Sequence, residues 1–401
     1  MQEQHGARRL ILLLVALAAL VPLSIALYLP GLPGMAQALG SSAGLAQMTL
    51  GVFLAGLSIG TLGCGPLSDR YGRRPLLLAS LGLYLVASLG CLQAGHVGML
   101  LLCRFVQALG AAGALLLAHA VVRDRLAEGG AGPVIALLHL VTLVAALGAP
   151  LAGAWLVTEA GWRSVFGVLA SLAGLCFLAT WLGMGESLPG QRQPVAAGFA
   201  SYLRVLSERR AVPYLFCLAF AFGGLCAFIT AAPFVFVQYL GLSPWACAGV
   251  LAVSVLGILV VLALNARWVP RVGRLAPLRL GAWMATVAGV ALACAGLLGW
   301  ALPAVVVFGA LVFAAATGLV AANCSAGLQA LFPGQARTVG GLAIALQFAT
   351  GTAFSWMVSA FADGTSVPMA VALCIAGLGC LLGYFGVLDQ ASQELGHQDI
   401  G

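Results

Sequence analysis

The chain contains no lysine, and aspartate, glutamate and arginine together supply only 7% of its 401 residues. A soluble domain carries roughly a quarter charged residues, so a water-soluble globular fold is excluded. No charged residue stands between Arg9 and Asp69. Also missing are G-x-x-x-x-G-K-[ST] and H-E-x-x-H sequences and any C-x-x-C pair. ATP drive within this chain, an intramembrane enzyme, a bound cofactor and a metal site are therefore not expected. The 11 cysteines read as small apolar side chains.

Hydrophobic residues make up 62% of the chain, and mean hydropathy is +1.08. A charge at the bilayer centre costs at least about 2.5–3.5 kcal/mol, so the positions of the few charges divide the chain. They predict twelve spans, near 10–29, 45–67, 75–94, 98–122, 132–156, 164–184, 212–237, 246–266, 280–299, 303–331, 338–360 and 367–388. "YLPGLPGMAQALGSS" (28–42) reads as the turn between the first two. Backbone polar groups must be satisfied inside lipid, and continuous runs such as 10–29 exclude a barrel, so an all-α membrane protein is expected.

With both ends on one side, sixteen of the 18 arginines share that side. Arg163 lies opposite and Arg104 falls within a span. The positive-inside rule puts the sixteen, and both termini, in the cytoplasm. The +7 net charge is then topological, and nucleic acid is not an expected partner.

"RYGRRP" (70–75) returns as "RVGRLAP" (271–277), about 201 residues later. This predicts a six-helix bundle over 1–184, a cytoplasmic linker over 185–211, a second pseudo-symmetric six-helix bundle over 212–390 and a cytoplasmic tail over 391–401. A duplicated, glycine-rich membrane chain is the expected form of a secondary transporter, with its site near the midplane between the halves. Since one chain holds both halves, monomeric action is expected.

"GPLSDRYGRR" (65–74), "LLCRFVQALGAAGA" (101–114) and "GAPLAGAW" (148–155) resemble motifs A, B and C of the major facilitator superfamily. "YLPGLPGMAQALG", "AHAVVRD", "AGWRSVF" and "TAAPFVFVQYLGLSP" are similar in wording to its Bcr/CflA drug-resistance branch. The resemblance implies a bacterial inner-membrane exporter of small amphiphilic molecules, proton-coupled and working by alternating access.

For motif A (Gly65, Asp69, Arg70, Gly72, Arg73, Arg74) the resemblance implies a gate. In it, Asp69 meets the positive end of span eleven near Thr338 and Gly340. The positive-inside rule alone accounts for half of that charge, and Pro270 replaces the acid in the second half. For motif B it implies a link between Arg104 and proton transfer. The spacing 104, 108, 111, 115, 119 would let Arg104 and His119 border one cavity, with Gln107 at its edge; packing against a carbonyl is the plainer role. For motif C, Pro150 bends span five while Gly148 and Gly153 permit close helix approach, and the motif's company with exporters favours efflux.

Bcr/CflA members commonly carry an acid in span one, where this chain has Ala26. None of the 11 acids falls at mid-membrane. Histidine titrates near neutral pH, so His119 and His139 are the candidate substitutes, though each could simply be hydrogen-bonded packing. An importer or uncoupled facilitator of a small metabolite is the alternative, and a non-transporting sensor a further one. Tyr28, Gln47, Thr49, Gln238, Asn323, Gln329 and Gln347 are the candidate substrate contacts. An apolar cavity without a buried acid suits neutral, zwitterionic or anionic amphiphiles.

Overall fold

The computed structural model describes residues 2–125, 131–188 and 195–398. Arg192, Glu128 and Asp399 lie outside the described residues. Fourteen α-helices follow in order: α1 (Gln2–Ala26), α2 (Leu32–Ala38), α3 (Ala43–Tyr71), α4 (Arg73–Leu92), α5 (Val97–Arg125), α6 (Ala131–Ala160), α7 (Arg163–Gly183), α8 (Val195–Ser207), α9 (Val212–Pro233), α10 (Pro244–Val272), α11 (Leu275–Leu297), α12 (Pro303–Leu331), α13 (Ala336–Ala360) and α14 (Val367–Gln398). No strand occurs among the described residues. Twelve helical stretches are long and apolar enough to cross a membrane, and they fall on the twelve expected spans.

The stretch 28–42 is not the expected turn. It is helical over Leu29–Gly31, in a 3₁₀ turn, and again over Leu32–Ala38. Pro30 and Pro33 sit at the first positions of these pieces, where a missing N–H leaves no bond unmade. The chain reverses only over 39–42, where Gly40 takes φ +58° and the Ser42 hydroxyl accepts from the Leu45 N–H at 3.3 Å to cap α3. α14 runs on through 391–398, beyond the last apolar span, which ends at Gln390.

The chain divides into two compact units, Met1–Ala200 with Pro244–Ala252, and Ser201–Ser243 with Val253–Gly401. In the first, α1 packs on α5, α6 and α7, and α4 on α5 and α7. In the second, α9 packs on α12, α13 and α14, and α11 on α12 and α14. These five pairings correspond one to one. The backbone repeats as well: Gly40 and Gly241, and Gly72 and Gly273, all take positive φ, each pair 201 residues apart. Only glycine adopts that conformation cheaply, so the duplication is carried by the turns as well as by the spans.

Candidate functional site

Arg104 is fully buried on α5 of the first unit. Its two terminal nitrogens donate to Gln107 Oε1 at 2.8 Å and to the Ser24 carbonyl at 3.0 Å. Its guanidinium carbon stands 4.3 Å from the ring centre of Tyr28, 4.1 Å from Phe53 and 5.8 Å from Phe166. Such faces replace part of the lost hydration of a cation. Behind it, Gln107 Nε2 donates to Ser88 Oγ at 2.7 Å, Ser88 Oγ to the Tyr84 carbonyl, and the Ser24 and Tyr84 hydroxyls are hydrogen-bonded to each other at 2.5 Å. Arg104 thus binds the last turn of α1 to α4 and α5.

This corrects the single cavity expected for Arg104 and His119. Fifteen residues of helix separate the two by about 22 Å, and Arg104 and Gln107 bond inward within an enclosed aromatic cage. Gln107 therefore stands at no cavity edge. Arg104 Nε has no hydrogen-bond partner.

Motif C closes on the same end of α1. A Cβ placed on Gly153 would lie 1.9 Å from the Leu27 carbonyl oxygen, so only glycine lets α6 approach here. Pro150 is buried within α6. Gly148 differs from the expectation, since a Cβ there would meet nothing within 4 Å. It faces outward, one turn from the contact.

At the opposite end of the unit, motif A is built from four helix ends. Arg73 is almost wholly buried and pairs with Asp69 at 2.8 Å and Asp124 of α5 at 3.0 Å; it also donates to Ser68 Oγ. The Ser68 hydroxyl in turn donates to the Gly65 carbonyl at 2.8 Å. Glu186, just past α7, accepts from the backbone N–H groups of Arg73 at 2.9 Å and Arg74 at 3.3 Å, capping the first turn of α4. Gly72 takes φ +104°, and a Cβ there would come within 2.5 Å of the Glu186 carboxylate. Arg74 donates to the Trp181 carbonyl and Arg125 to those of Gly185 and Glu186. Arg70 stays exposed beside the Tyr71 ring. Partial burial works against the charge of Glu186. Donors from Leu188, Arg73, Ser187 and Arg74 outweigh it and hold the carboxyl below the usual glutamate range.

His119 of α5 and His139 of α6 come together, with ring centres 5.3 Å apart and planes at 63°. The candidate substrate contacts are dispersed. In the first unit, Tyr28, Gln47 and Thr49 are buried. Thr49 Oγ1 reaches the Ala46 carbonyl at 2.6 Å and Tyr28 Oη at 3.5 Å, and Gln47 Oε1 has no hydrogen-bond partner. In the second unit, Asn323 is buried and donates to Asn265 Oδ1 and to the Leu319 carbonyl, both at 2.8 Å. Gln238 and Gln329 are exposed and Gln347 half-buried. All eleven thiols are free.

The Major Facilitator Superfamily model matches residues 14–355. The chain belongs to that superfamily. The chain is 26% identical over 394 residues to the "Bicyclomycin resistance protein homolog" of Haemophilus influenzae, covering 96% of this chain and 97% of that one. It is 35% identical over 246 residues to "Uncharacterized MFS-type transporter YdgK" of Bacillus subtilis, and 31% over 234 residues to "Multidrug transporter MdfA" of Yersinia pestis. Those two matches span 61% and 57% of the relatives' own length. Among solved structures, "Crystal structure of D-xylose-proton symporter" superposes with TM-score 0.75, at 18% identity over 94% of this chain and 97% of that one. The human organic anion transporter MFSD10 superposes with TM-score 0.67, at 19% identity over 95% and 99%. These two likenesses show the fold.

The sequence left several partners unread. Asp124, flanked in sequence by Arg123 and Arg125, pairs its carboxylate with Arg73 on another helix. Glu186 looked like linker. Ser24, Ser88, Tyr84, Phe53 and Phe166 carried no signal beyond being polar or aromatic residues within spans.

Proposed function

We propose that this chain exports small amphiphilic molecules across the bacterial inner membrane by alternating access, driven by protons, as a monomer with both termini in the cytoplasm. The observation that carries the reading is end-to-end similarity to a bicyclomycin resistance protein homolog. The Gly153–Leu27 contact supports it, because motif C keeps its distinctive glycine where a side chain would separate α6 from α1.

The acids suggest the substrate class. Asp69, Asp124, Glu159, Glu186, Asp363 and Asp389 all stand at or beyond helix ends or in the last turns of a span. With no carboxylate in the apolar interior among the described residues to neutralise a cation, the substrates are neutral, zwitterionic or anionic amphiphiles.

The test is uptake of bicyclomycin or chloramphenicol into inverted vesicles, with and without an interior-acid pH gradient, from pH 5.5 to 8.5. Gradient-driven accumulation is expected. Equilibration indifferent to the gradient makes the chain an uncoupled facilitator, and movement in the reverse direction makes it an importer.

A further inference from the structure

Outside the motif clusters, the first unit brings two titratable side chains from different spans into contact. His119 is half-buried and His139 exposed. Each Nδ1 lies against the carbonyl four residues back on its own helix, Leu115 at 3.0 Å and Ile135 at 2.8 Å. A carbonyl oxygen only accepts, so Nδ1 carries the proton in the neutral ring, leaving Nε2 as the free basic atom on each. Two rings with fixed tautomers, one edge-on to the other, thus offer two basic nitrogens and no acid.

Arg123, one turn further along α5, bears electrostatically on His119 together with His139. On α5 itself Arg104 lies buried within the span, while Asp124, paired with Arg73, and Arg125 stand at its end. The other charges on helices packed against the pair stand at helix ends: Arg8 and Arg9 on α1, Asp69 and Arg70 on α3, Arg73 and Arg74 on α4, Arg163 on α7 and Glu159 at the far end of α6. The Cys64 thiol of α3 packs beside Gly113, six residues before His119. Two imidazolium rings 5.3 Å apart would repel each other. That repulsion opposes a second proton, and the positive charge of Arg123 beside His119 opposes it further.

We infer that His119 and His139 form one proton-binding site that takes a single proton between them, at the Nε2 of either ring, and supplies the coupling proton in place of the acid absent at Ala26. The inference rests on the reading of the chain as a proton-driven exporter. Protonation forms one N–H bond with a proton from the aqueous phase, and release breaks it. The charged ring faces the π surface or edge of its neutral partner, an arrangement that tolerates one cation and resists two.

Proton uptake by the full chain in lipid nanodiscs, measured from pH 8 to 5, tests the site. His119→Gln, His139→Gln and the double variant are compared with the wild type. Relative to the double variant, the wild type and both single variants are each expected to bind one proton. Two protons in the wild type, or none, overturn the inference. Ring carbon–proton spectra of the unmodified chain give a check that no variant affects. Both rings should shift with one shared midpoint and partial amplitudes, and two full, independent titrations overturn the pair.

Bicyclomycin accumulation in inverted vesicles separates the two readings. Loss of gradient stimulation in the double variant supports the coupling role, and full stimulation there overturns it. A wild type that ignores the gradient overturns the exporter reading, while the proton count still decides the site.

Discussion

A guanidinium with no carboxylate beside it is costly to bury, and Arg104 is kept by two hydrogen bonds and three aromatic faces. Removing it leaves a void and an unpaired Gln107 and Ser24 carbonyl. Arg104→Ala is expected to cost about 2–4 kcal/mol and to lower the thermal midpoint in detergent along with abolishing efflux. Arg104→Lys keeps the charge but cannot lie flat between the rings, so it should fall between the two. Lost efflux at an unchanged midpoint would assign Arg104 to chemistry alone. Its exceptional place was legible because an arginine inside an apolar run stands out. Its partners were not, since Ser24 lies 80 residues away and the rotation of α1 against α5 decides what meets.

At the scale of helices, two glycines of one motif should part company. Gly153→Val drives a side chain into the Leu27 backbone, so α6 must move off α1; a loss of about 1–3 kcal/mol or more is expected. Gly148→Ala meets open space and should improve stability slightly, by helix propensity. Thermal unfolding of the two variants side by side checks this, and equal losses would remove the contact from the account.

The α4 cap yields a pH signature. Since the folded Glu186 carboxyl lies below its usual range, its contribution is present above about pH 4.5 and fades as pH falls through the folded value. Glu186→Gln should therefore cost on the order of 1 kcal/mol at pH 7, and the gap to the wild type should close in acid. Midpoints measured at pH 7 and pH 4 decide it. A gap that persists unchanged in acid would mean that the carboxylate charge is not what caps the helix. Helix ends such as this resist sequence reading, because the capping group arrives from 113 residues away.

For the whole molecule, the span pattern was legible because charges are so scarce that, Arg104 apart, they cluster toward helix ends. The repeat was legible from one loop, "RYGRRP" against "RVGRLAP", and the matching positive-φ glycines extend it to a second. The histidine pair was not, since two rings twenty positions apart in the sequence meet only once α5 and α6 are set side by side. The positive-inside rule, applied to the arginine positions in the sequence, puts the C-terminus in the cytoplasm, so a fluorescent-protein fusion there should glow and an alkaline phosphatase fusion should stay silent. The reverse pair of results would invert the assigned topology.

The Glu186 clasp also sets where the connection between the halves begins. Gly185 and Glu186 are tied to Arg73, Arg74 and Arg125, so the chain leaving α7 is moored to α4 and α5 before it travels on. Tension in the connecting segment would therefore be felt first at the α4 cap and only afterwards at the end of α7. Residues 185–186 act as a strain relief, like the clamp that spares a cable's joint, and they place that clamp on motif A.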